Sequence, residues 1–234
     1  MEAKNEIKYL YSDNIGSVQL VDSMGEDIKV VNSARVSFGV HKEELDDKDK
    51  KLINYLIKHK HTSTLEHNLA TFRIKVPLFV RSQHHRHRTW SYNEISRRYT
   101  DVNLEFYESD TFRTQHKSNR QASNVEDEVN PTVYFNGLMQ GAARHVRSHH
   151  AKSVELFEKL IEEGVCREQA RGILPQNLYT EYYATANLSN ILKFIDLRTH
   201  EGAQWEIQVL ANEMLNIIKD LWPVTVESYI NNRH

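Results

Sequence analysis

Apolar positions along this chain switch between a period of two and a period near 3.6, and the switches mark out a mixed fold. Gly16 and Gly25 bracket the segment SVQLVDSM, whose alternation predicts a short strand. Residues 46–60 predict a helix, with Leu52, Ile53, Leu56 and Ile57 on one face. Asp46 and Asp47 open that helix and lysines close it, an arrangement that suits the helix dipole. Residues 68–76 alternate strictly, Ala70, Phe72, Ile74 and Val76 facing one way and Thr71, Arg73 and Lys75 the other, which predicts a half-buried strand. Pro77 ends this strand and opens a helix over 78–87.

Residues 109–130 are polar and nearly aperiodic, and read as a mobile loop. Asn130-Pro131 reads as the start of a long helix to about 163, with Phe135, Leu138, Met139, Ala142, Val146, Phe157, Leu160 and Ile161 at helical spacing and Gly164 as its stop. A short helix over 167–172 ends before Pro175, residues 178–186 read as a strand and 189–197 as a helix. Ile207, Leu210, Ala211, Met214, Leu215, Ile218 and Leu221 stripe a last long helix that stops before Pro223. No repeat, linker or low-complexity tract interrupts the chain, so one helix-rich α+β domain over residues 1–234 is the simplest account.

Composition narrows the class. With 234 residues, 39% of them hydrophobic, the chain is long enough for one sizeable core. Mean hydropathy is −0.64 and no apolar stretch reaches membrane-span length. The opening MEAKNEIKYL carries charges where a signal peptide has an apolar core, and a soluble, cytoplasmic protein is expected. One cysteine, Cys166, excludes an internal disulfide and any multi-cysteine metal site. A net charge of −2 gives no global nucleic-acid signal, so an anion site must come from local clustering. The glycines form neither GxGxxG nor a Walker A loop, so any phosphate must be held by side chains, for which the planar fork of arginine is suited.

The clustering lies in RHRTWSYNEISRRY, residues 86–99. It gathers guanidinium, imidazole, carboxylate, carboxamide and hydroxyl groups that a core could not bury without partners, and it reads as a site for a planar anion. Every specified position fits RHR-x-x-S-x-N-E-x-S-x-R-Y, and the stretch resembles the signature of the flavin-dependent thymidylate synthases. His61-Thr62-Ser63-Thr64-Leu65-Glu66-His67 upstream is similar to that family's His-x-Ser/Thr-x-x-Glu-His element, and Gln83 precedes Arg86 at the family's spacing. Downstream, Gln169-Ala170-Arg171-Gly172-Ile173-Leu174-Pro175, Asn187, Leu197-Arg198 and Ala203-Gln204-Trp205-Glu206-Ile207 resemble its later elements in the same order.

The resemblance implies a single helix-rich domain with an antiparallel sheet and the conversion of dUMP to dTMP. Methylenetetrahydrofolate is then the carbon donor and NADPH the reductant, through FAD. It implies that Arg198 meets the uracil edge and, with Ser96, belongs to the catalytic group. Gln83, Ser96, Arg98 and Arg171 would hold the nucleotide, Tyr99 would line its pocket, and Arg86 and Glu94 would touch substrate as well as flavin. His61, Ser63, Glu66, Arg86, His87, Arg88, Glu94 and Asn187 would position the flavin. It further implies a homotetramer with sites shared between subunits. The sequence departs from many relatives at Ser189, Lys193 and Gly202, where Arg, Asn and His commonly touch FAD, and weak flavin retention is expected.

Other readings compete. A relative that binds a nucleotide or nucleic acid through the same arginines but has lost flavin chemistry is the alternative. Thirteen histidines invite a metal reading, and His145 and His149 have i, i+4 spacing, but no HExxH pattern accompanies them and no metal is expected. Cys166 lacks the Pro-Cys-His setting of the cysteine-dependent thymidylate synthases and reads as a packing residue. Ser96 has no activating His–acid pair at a recognisable spacing, so it reads as a hydrogen-bond donor rather than a nucleophile.

Overall fold

The structure is a computed structural model and describes residues 5–101 and 104–233. Strand β1 (Ile7–Tyr9) pairs with β2 (Ser17–Met24), after which α1 (Asp27–Arg35), absent from the sequence reading, leads to α2 (Asp47–Lys58). Asp46 caps α2 in a capping box: its carboxylate accepts from Asp49 N at 2.9 Å, and the Asp49 carboxylate accepts from Asp46 N at 3.1 Å. Strand β3 (Leu69–Pro77) runs into α3 (Leu78–His84), then β4 (Ser91–Glu94).

After β4 the chain departs from its apolar spacing. The segment expected as a loop carries a hairpin of β5 (Phe112–Gln115) and β6 (Ser123–Val129). The first part of the expected long helix is a second hairpin, β7 (Thr132–Phe135) and β8 (Leu138–Gly141). Its turn is Asn136-Gly137, with φ of 53° and 78°. Two consecutive left-handed residues are what a tight antiparallel turn requires, and Asn-Gly supplies them at least cost. The helix α4 (Ala142–Glu162) begins only after this hairpin and stops at Gly164, whose φ is 86°.

Then come α5 (Arg167–Ala170), β9 (Tyr179–Asn187), α6 (Leu188–Arg198), α7 (Trp205–Leu221) and α8 (Pro223–Asn232). Pro223 does not simply stop α7; it is the first residue of α8, where a missing N–H costs nothing.

The main sheet is antiparallel, in the order β1-β2-β3-β9-β4. Alternation decides its faces. Val18, Leu20, Phe72, Ile74, Tyr182 and Ala184 are buried in one core with Phe194 and Ile195 of α6 and Leu210, Met214 and Ile218 of α7. The opposite face is charged: Arg73 pairs with Glu181 and Lys75 with Glu105, each at 2.6 Å. One wet face and one packed face explain the clean period of two along β3. Among the described residues no helix is long and apolar enough to cross a membrane.

Candidate active site

The signature is a helix end, a turn and an edge strand. Gln83 and His84 close α3, residues 85–90 turn, with Thr89 at a φ of 65°, and β4 pairs with β9 in the register Ser91↔Thr185 to Glu94↔Tyr182. The turn has a rigid floor. His84 is fully buried, bonded through Nδ1 to the Tyr182 hydroxyl at 2.8 Å, and packed edge-on to Trp90 and Tyr92. Burial pushes its pKa far down, so it is a neutral packing group. The Tyr92 hydroxyl donates to the carbonyls of His84 and His87 at 3.2 and 3.4 Å and ties the turn to the strand.

Against this turn lies the end of α6. The Arg198 Nε donates to His87 Nε2 at 3.0 Å and its Nη2 to the Gln83 carbonyl at 3.1 Å. Burial and the adjacent guanidinium lower the His87 pKa to about 4. The Gln83 amide donates to Gln204 Oε1 at 2.6 Å, and the Gln204 amide donates to Glu206 Oε2 at 2.9 Å. The buried Glu206 carboxylate also pairs with Arg113 of β5 at 2.6 Å, and that guanidinium stacks over Trp205. The hairpin of β5 and β6 is thereby anchored to the same network.

Of the sequence-predicted residues, Gln83, His87 and Arg198 are brought into direct contact. Glu94 lies farther along β4, accepting from Thr180 Oγ1 at 2.6 Å and pairing with Arg81 at 3.2 Å. Ser96, Arg98 and Tyr99 form the next turn: Tyr99 N donates to the Ser96 carbonyl at 3.0 Å, and the Arg98 guanidinium sits 5.3 Å from the Tyr99 ring centre. Arg86, Arg88, Arg98, Tyr99 and Arg171 are exposed.

His61, Ser63 and Glu66 sit on a separate 3-10 turn, also exposed, and Asn187 caps α6 by accepting from Asn190 N at 3.0 Å. His61 lines a cleft of about 350 Å³ with Lys60, Ser189, Lys193, Tyr229 and Arg233. The Ser189 hydroxyl there is buried without a hydrogen-bond partner among the described residues. Gln204 and Glu206 belong to the element Ala203–Ile207 that resembles the family's, which carries no individual role for either; for Arg113 the polar hairpin offers no signal.

Cys166 is not the packing residue expected: it is exposed at the N-cap of α5, with its thiol 3.7 Å from Gln169 Oε1. No signature side chain bonds to it among the described residues, and Cys166→Ser is expected to keep wild-type turnover; loss of activity with unchanged circular dichroism would contradict this.

The sequence model of a family described as "Thymidylate synthase complementing protein" matches residues 19–224. A flavin-dependent thymidylate synthase of Thermosipho africanus is 40% identical over 216 residues, 92% of this chain and 91% of that protein. One from Thermus thermophilus is 42% identical over 209 residues, 89% of this chain and 73% of that protein. The chain belongs to the flavin-dependent thymidylate synthase family. Among solved structures, the UMP/dUMP methylase PolB from Streptomyces cacaoi, bound with 5-Br dUMP, superposes with a TM-score of 0.77 at 30% identity, covering 97% of this chain and 96% of that one. The α+β fold and antiparallel sheet expected of a flavin-dependent thymidylate synthase are those observed.

Proposed function

We propose that this protein methylates dUMP to dTMP, with methylenetetrahydrofolate as carbon donor and NADPH as reductant through FAD, and that it does so in the cytoplasm. The observation that carries the reading is the fixed guanidinium of Arg198, held between His87 and the Gln83 carbonyl beside the family signature.

Carbon 5 of uracil must become nucleophilic. Negative charge then develops on the ring carbonyls, and a pre-oriented cation stabilises it more in the transition state than in the ground state. Arg198 fills that role. Gln83, Ser96, Arg98 and Arg171 hold the nucleotide, Tyr99 lines its pocket, and Arg86 and Glu94 face both nucleotide and cofactor. No covalent cysteine is needed.

The residues present also fit a flavin. An orphaned buried hydroxyl, Ser189, opens on a cleft with Lys60, His61, Lys193 and Arg233, a donor set suited to a diphosphate. Lys193 thus supplies charge at one of the positions that depart from relatives. His61, Ser63, Glu66, Asn187, Arg86, His87, Arg88 and Glu94 would orient the cofactor, which supplies the redox step when bound.

The test is a visible absorption titration with FAD, then with dUMP, followed by assay of dTMP formation with UMP in parallel. Saturable flavin spectra perturbed by dUMP, with turnover, are expected. Absence of any flavin binding would favour the nucleotide-binding relative instead.

We also infer a homotetramer with sites shared between subunits. Exposed arginines of the signature and exposed apolar side chains such as Phe38, Tyr134 and Met139, at 83%, 68% and 66% exposure, support it. Sedimentation with co-migrating assay should place all turnover in the tetramer; an active monomer would overturn this.

A further inference from the structure

Arg198 projects from the last position of α6, where a long side chain has many rotamers and must lose them to act. Two contacts remove that freedom. The Gln83 carbonyl is fixed by α3, and the His87 ring is fixed by packing edge-on to Phe194, with centroids 5.0 Å apart. The Nε of a guanidinium is a single donor in the plane of the fork. Either bond alone would leave the planar group free to swing about it, whereas the Nε bond to His87 added to the Nη2 bond to the Gln83 carbonyl fixes the plane of the whole group.

His87 can accept that bond only as the neutral imidazole with its proton on Nδ1. Burial and Arg198 itself keep it neutral at ordinary pH. With Nε and one Nη2 hydrogen engaged, the remaining guanidinium hydrogens are the ones available to a ligand.

We infer that His87 is a positioning residue for Arg198: its Nε2 fixes the plane of the guanidinium so that the free edge meets the uracil. This rests on the proposed role of Arg198 and assigns His87 a function beyond flavin contact.

The experiment is a double-mutant cycle on dUMP affinity, measured by calorimetry on FAD-saturated protein, with FAD affinity titrated separately. His87→Ala and Arg198→Ala are combined, and His87→Gln and His87→Asn are added as polar variants. The Gln carbonyl reaches the place of Nε2 and the Asn carbonyl only that of Nδ1, so this pair serves even where alanine fails to fold. Loss of a bond to a charged group predicts about 10- to 100-fold weaker dUMP binding in His87→Ala and His87→Asn. His87→Gln should recover most of that loss. In the Arg198→Ala background the His87 change should matter less than twofold, because its effect runs through the missing group.

Equal losses in both backgrounds would mean that His87 acts on the nucleotide independently and would overturn the inference. So would a loss confined to FAD affinity, or no loss where Arg198→Ala shows one. Wild-type dUMP affinity in Arg198→Ala would instead remove the role of Arg198, on which the inference stands.

Discussion

Arg198→Ala is expected to abolish measurable turnover while leaving the fold intact. Removing one pre-organised donor to a developing oxyanion costs about 10²–10³-fold in kcat, and in the role proposed for Arg198 the donor is a full charge rather than a neutral amide. The group is half-buried, so its field is less screened than on an open surface. The fold should survive, because among the described residues the side chain makes only two polar contacts, to His87 and Gln83, and neither partner is fully buried. Arg198→Lys is a sharper probe. It keeps the charge but loses the planar fork and the Nε donor, so intermediate activity is expected. Steady-state dTMP formation alongside circular dichroism checks both variants. A near-wild-type kcat in Arg198→Ala would end its catalytic assignment.

The sequence made some of this site legible and hid the rest for physical reasons. The strands β2, β3 and β9 announced themselves because one face of the sheet is packed and the other charged, which writes alternation into the chain. Helix α7 announced itself through its stripe. The hairpin of β7 and β8 did not, because Phe135, Leu138 and Met139 satisfy helical spacing as well as a two-residue turn. All three are exposed in the chain, so burial wrote no pattern there. The Asn136-Gly137 pair was the signal that outweighs the periodicity. Strand β4 was invisible as a strand because it is short, polar and on the sheet edge, where one ladder of hydrogen bonds suffices. The signature residues were legible as chemistry, but their pairing was not. Nothing in the spacing of His87 and Arg198 reveals that they touch, since they are 111 positions apart.

Asp27→Ala should be among the most destabilising single changes available. Asp27 begins α1 and is 5% exposed, yet its carboxylate is fully used by α8. It accepts from Val224 N and Thr225 N, both at 2.9 Å, and from the Thr225 hydroxyl at 2.5 Å. It is a cap supplied from across the chain: two otherwise orphaned amides at the start of a helix, and the positive end of its dipole, meet one buried anion. Trp222 beside it is fully buried, and its indole donates to the Gly25 carbonyl at 3.0 Å, so the junction cannot open to admit water freely. Alanine would strand three donors, for a loss of about 3–5 kcal/mol. At roughly 2–4 °C per kcal/mol for a chain of this size, the melting temperature should fall by about 10 °C. Asp27→Asn keeps one acceptor and should lose less. The loss should also reach the cleft proposed for the cofactor. The far end of α8 brings Tyr229 and Arg233 to its wall, and Arg233 clasps Thr199 and pairs with Asp196 at 3.3 Å at the end of α6. Loosening the start of α8 should therefore weaken FAD binding at temperatures where the protein remains folded. Thermal melts with and without FAD measure both effects. A melting temperature within about 2 °C of wild type would show that α8 is held by its apolar face alone and that the Asp27 cap is dispensable.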